Sequence, residues 1–132
     1  MIVYTSPTAE LSFHQNATRF NLTWKPASRF SSEADLQREL EMILEFIKEH
    51  GVRHILSDSR HYPFHGNMEM QSWLDFDYYP RLSSSGVKGV AVVADPEAVE
   101  EYQREKGGMF ADPEQEYFTD PDEAHQWLDS LR

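Results

Sequence analysis

The stretch that most constrains this chain is VKGVAVVA at residues 87–94, which is almost continuously apolar. A strand with one wet face alternates polar and apolar residues. One without that alternation is expected to be covered on both faces, as parallel strands are. Parallel strands need long crossovers, most often helices, so the run calls for helices on either side of it in the sequence. Both are present.

Upstream, Leu36, Leu40, Ile43, Leu44 and Ile47 recur at helical spacing and form one apolar stripe, with Glu39, Glu41, Glu45, Lys48 and Glu49 mostly off it. Ser32 is placed to cap this helix, with Asp35 in its third position, and Gly51 is a suitable left-handed stop. A short apolar strand, Val52 to Ser57, follows. A second helical pattern starts near Asn67, with Met70, Trp73 and Leu74 inward and a kink or restart required at Pro80. Gly86 ends it. Beyond the apolar run, residues 97–106 read as a short exposed helix broken by Gly107-Gly108. A small strand is expected at Tyr117-Phe118. Asp120, Pro121 and Glu123 then open a last helix, whose Ala124, Trp127, Leu128 and Leu131 fall on one side.

The N-terminal third has the opposite pattern. Leu11 and Phe13 alternate with Glu10, Ser12 and His14, and Phe20, Leu22 and Trp24 with Arg19, Asn21 and Thr23. This predicts an antiparallel hairpin, turning at Gln15-Asn16-Ala17, with one face on a core and the other in water. Ile2 to Tyr4 is a candidate third strand. The whole reads as a single α/β domain over residues 1–132, with an antiparallel edge on an otherwise parallel sheet. Right-handed crossovers would place its helices on defined faces.

Composition bounds the function. There is no cysteine, which removes disulfides, thiolate zinc sites and a cysteine nucleophile together. The formal charge is −11, and from Asp95 onward twelve acids face only Arg104, Lys106 and Arg132, a net of −9. Such a surface repels phosphate backbones and anionic headgroups, arguing against a nucleic-acid binder; otherwise it reads as a solubilising face. The start, MIVYTSPTAEL, has no charged leader followed by an apolar stretch, and no apolar run approaches membrane-spanning length. A soluble cytoplasmic protein is expected.

Chemistry-bearing residues gather in ILSDSRHYPFHGN, 55–67. Asp58, His61 and His65 are suitable metal-ligand types and would suit a metal-dependent hydrolase, but Pro63 keeps the two histidines off a common helix face. Ser57 and Ser59 have no nucleophile-elbow glycines around them. Arg60, His61 and His65 beside a helix start capped by Asn67 would make a cationic entrance on an acidic protein. The plainer alternative is a solvated loop. Trp73, Phe76, Tyr78 and Tyr79 would supply core packing or line an apolar cavity; left exposed, any of them would favour dimerisation or partner docking.

Several of these segments together resemble one family. The Trp24 strand, the Leu36–Ile47 helix, ILSDS at 55–59, WLDFDYYPRLSSSGVKGVAVV at 73–93 and FTDPDEAHQWL at 118–128 look like the SpoIIAA-like branch of the STAS superfamily, related in fold to CRAL-TRIO lipid-binding domains. The resemblance implies a STAS-like mixed sheet and a non-enzymatic regulatory or scaffolding domain; no cofactor and no metal are expected. It would bind a partner protein through the loop and helix start after the strand at 52–57, or carry a small apolar or anionic ligand. Asp58, Ser59, Arg60, His61, His65, Asn67 and Trp73 are the contact candidates. In the sporulation relatives a serine at this helix start is phosphorylated; the equivalent place here, His65-Gly66-Asn67, has no hydroxyl.

Overall fold

The computed structural model describes residues 1–14, 18–64, 67–105 and 113–131. Among these described residues, six strands form one sheet in the order β1-β2-β3-β4-β5-β6: Ile2–Thr5, Ala9–Phe13, Arg19–Trp24, His54–Asp58, Gly89–Val93 and Glu114–Phe118. The first three pair antiparallel and the last three join in parallel. This is the mixed sheet the sequence predicts. The hairpin turn at 15–17 and the glycine break at 107–108 lie outside the described residues.

Spatial order equals chain order, and this decides where the helices go. Crossovers of one hand between successive neighbours, all stepping the same way, deliver their helices to the same face. Helices α1 (Glu33–His50), α2 (Met68–Trp73), α3 (Tyr79–Ser84) and α4 (Pro96–Glu105) therefore share one face and close the main core over Leu11, Phe20, Leu22, Ile55, Val90 and Val92. Helix α5 (Pro121–Ser130) packs on the reverse, where Ala124 and Leu128 meet Leu56, Ala91 and Val93. All five residues of β5 are buried, as its unbroken apolar run requires.

Local signals account for the helix ends. Ser32 Oγ accepts from Asp35 N at 3.1 Å, and Gly51 sits at φ 66°, where a side chain would be strained. Asp120 caps α5 by accepting from Asp122 N at 3.0 Å. Pro80 is absorbed without a break: the turn before it, Leu74–Tyr78, widens to π geometry. The wider turn relieves the clash with a preceding carbonyl that a proline ring brings to an α-helix.

Two residues depart from the pattern read along the chain. Arg19, on the face that alternation assigns to water, is 1% exposed because α5 reaches it. Its guanidinium contacts His125 Nδ1 at 2.8 Å, His54 Nδ1 at 3.2 Å and Asp129 Oδ1 at 2.6 Å, and His14 stacks on His125. Glu39, set apart from the α1 stripe by its charge, is buried, and its carboxylate accepts from the hydroxyls of Tyr4, Ser6 and Thr8. Those bonds fasten α1 to β1 and the turn that follows it. Among the described residues, no helix is long and apolar enough to cross a membrane.

Candidate functional site

Strand β4 ends in the loop the sequence singles out, and its side chains point in two directions. Ser57 and Ser59 turn inward and are buried, their hydroxyls 2.8 Å apart. Ser59 N donates to Val93 O at 2.8 Å, extending the β4–β5 ladder by one rung. Asp58 and Arg60 turn outward and close on each other through two bonds, Nε to Oδ1 at 2.9 Å and Nη2 to Oδ2 at 2.6 Å. Burial opposes ionisation of Asp58, but the bonds and charge of Arg60 outweigh it and hold the carboxyl below its ordinary range. The cation of Arg60 is thus largely answered within the loop.

The loop is strapped to the 3-10 turn Pro26–Phe30, which follows β3. Ser28 Oγ donates to His61 O at 3.0 Å, and Arg29 donates to His61 Nδ1 at 3.2 Å and to Arg60 O. His61 is therefore a hydrogen-bond acceptor here, one ring nitrogen occupied. Asn67 caps α2, its Oδ1 accepting from Met70 N at 2.9 Å, so the helix start is satisfied from within. His65 lies outside the described residues. Among the described residues, no group of three His, Asp or Glu side chains is placed to hold a metal ion.

Beneath the loop is a cavity of about 70 Å³ between the sheet and the helices. Ser57 and Ser59 form part of its floor, Tyr62 and Phe64 cover it, and Gln71 and Tyr117 line its side. Tyr62 packs on Trp24 and Phe64, so the loop serves as the cavity's lid. Tyr78 and Tyr79 line the cavity as well, whereas Trp73 stacks on Tyr78 from outside it. Phe76 points to solvent. Burial pushes the phenols of Tyr62, Tyr78, Tyr79 and Tyr117 well up, so they remain protonated.

The surface around the lid carries apolar side chains that spacing alone did not bring out. Phe30, at the end of the 3-10 turn, is 91% exposed, and Met68, the first residue of α2, is 83% exposed. Both flank a loop with Arg29 and His61 at its edge. A second feature missed along the sequence is the Gln71–Asp75 pair, one helical turn apart and bonded at 2.9 Å, of which Gln71 lines the cavity. Its i, i+4 spacing was the available signal.

The architecture agrees with the family comparison. A family model described as SpoIIAA-like matches residues 27–129, from the 3-10 turn to the last turn of α5. Among curated proteins and among solved structures, no match was found. The matched span takes in α1, the β4 loop, the cavity lid and every later element, and on that extent the chain belongs to the SpoIIAA-like family.

Proposed function

We propose that this domain is a regulatory or scaffolding module without catalytic chemistry, which docks a partner protein on the surface made by the β4 loop, the 3-10 turn and the start of α2. The exposure of Phe30 and Met68 around that loop carries the reading. Two large apolar side chains left this bare by a well-packed domain lose contact with water only when something covers them. Arg29 and His61 add donors beside them on an otherwise acidic chain, favouring a partner that presents carboxylates or carbonyls there. The bonds from Arg29 and Ser28 hold the loop in shape before a partner arrives, which lowers the cost of binding.

The test is site-specific photo-crosslinking in cells, with benzoyl-phenylalanine replacing Phe30, Met68 or, as control, the exposed Met42 on α1. A common adduct is expected from positions 30 and 68 and absent from 42, and Arg29→Ala together with His61→Ala should reduce it several-fold. If 30 and 68 give no adduct beyond that of 42, the docking surface is elsewhere.

The cavity between sheet and helices supports a second reading, in which the domain takes up a small ligand under the Tyr62–Phe64 lid. Titration with butan-1-ol and with n-butylammonium, read at the amides of Ser57, Gln71 and Tyr117, tests it. No shift with either probe overturns it.

A further inference from the structure

A negative charge lies beside the cavity, held by Gln71, which lines it. Asp75 lies in the π-helical turn, half-buried, and among the described residues no cation is paired with it. Its carboxylate accepts a hydrogen bond from a neutral amide, Gln71 Nε2 at 2.9 Å. Other carboxylates withdrawn from water are better answered: Asp58 and Glu41 by guanidinium groups, Glu39 by three hydroxyls. A carboxylate held half out of water without a counter-charge is costly. Burial accordingly pushes the Asp75 carboxyl above its ordinary range, and the bond from Gln71 offsets this only in part.

Aromatic rings surround the same place. Tyr79 and Tyr117 line the cavity with Gln71, and Tyr102 lies face to face on Tyr117, centroids 4.2 Å apart and planes within 9°. The phenols of Tyr79, Tyr102 and Tyr117 are pushed up first by burial, and the nearby charge of Asp75 adds to each shift. Ring faces attract cations, and a carboxylate beside them adds a full opposite charge. Resting on the ligand-uptake reading above, we infer that the cavity, with Asp75 bonded to Gln71 of its lining, forms a site for a small organic cation, an ammonium or N-methylated ammonium on a short apolar chain.

The alternatives are disfavoured by the same residues. An anionic ligand would bring a second negative charge against Asp75, in a protein already at −11. A neutral apolar ligand would strip more water from the carboxylate and return nothing. An ammonium supplies the missing charge, and its chain fills the apolar space. The cavity, about 70 Å³, keeps that chain short.

The experiment is the amide-shift titration of the whole domain with n-butylammonium chloride and with butan-1-ol, repeated in Asp75→Asn. Saturable shifts with n-butylammonium at Gln71, Asp75, Tyr102 and Tyr117 are expected. Binding of the alcohol, and of the cation to Asp75→Asn, should each be weaker by about tenfold or more. Lowering the pH to protonate Asp75 should weaken the cation in the unaltered protein, an arm that needs no variant to fold. Equal binding of the two probes, unaffected by Asp75→Asn, overturns the cation site and leaves ligand uptake standing. No shift with either probe removes both.

Discussion

Glu39 shows what one buried charge does at residue scale. Its carboxylate accepts three hydroxyl bonds from the first strand and the turn after it, so removing it orphans several donors at once. Glu39→Ala is expected to lower unfolding free energy by about 2 kcal/mol, and Glu39→Gln by less, because an amide oxygen still accepts. Urea denaturation checks both; equal, negligible losses would show that the hydroxyls find water instead. Part of this was visible in the sequence. Glu39 stands three residues after Leu36 and four before Ile43, within the stripe that α1 buries. The sequence did not show that Tyr4, Ser6 and Thr8 converge on it, a contact across more than thirty residues. Nor did it place Asp58, whose pairing with Arg60 turns a prospective ligand into a loop-closing bond.

At the scale of elements, the sequence was most informative where one periodicity ran unopposed, as in α1 and β5. It was least so where a distant element covers a face. Strand β3 reads as half wet, and Arg19 is buried only because α5 arrives from a hundred residues downstream. That docking is expected to weaken in acid. The rings of His54 and His125 contact the Arg19 guanidinium through Nδ1. Burial lowers both pKa values, and Arg19 adds to it, with Arg53 acting on His54 and His14 on His125; Asp129 opposes the shift at both and Asp122 at His125. In the unfolded chain these histidines take up protons near pH 6.5, in the folded chain only lower. The unfolded state therefore binds more protons as pH falls through that window, and stability declines with it. Asp129, whose carboxyl is held down by its bond from Arg19, loses its contribution only at much lower pH. The urea midpoint should thus be lower at about pH 5.5 than at about pH 7.5, with the slope flattened in a His54→Asn/His125→Gln variant. An unchanged slope in that variant would assign the acid sensitivity to other groups.

For the whole molecule, charge is the dominant long-range quantity. With a net of −11, most of it from residue 95 onward, the folded state carries more self-repulsion than the expanded one. Raising sodium chloride from about 0.05 M to about 0.5 M screens that repulsion to within a few ångströms and should raise the melting midpoint. A falling midpoint would mean that the ion pairs, such as Arg81 with Glu41 and Arg60 with Asp58, outweigh the repulsion. The same field favours cations over anions at every surface opening, the cavity rim included.

The strand order has a consequence for how the chain is made. Every strand lies beside the one synthesised just before it, so a polypeptide leaving the ribosome can seat each new strand on an edge already formed. Assembly advances as a front from β1 to β6, and each crossover helix covers the newest seam while later segments are still being translated. Helix α5 instead reaches backward across β6 and β5 to β4 and Arg19. Its contact with Arg19 spans more than a hundred residues, and it covers the buried arginine once the strands beneath it are in place.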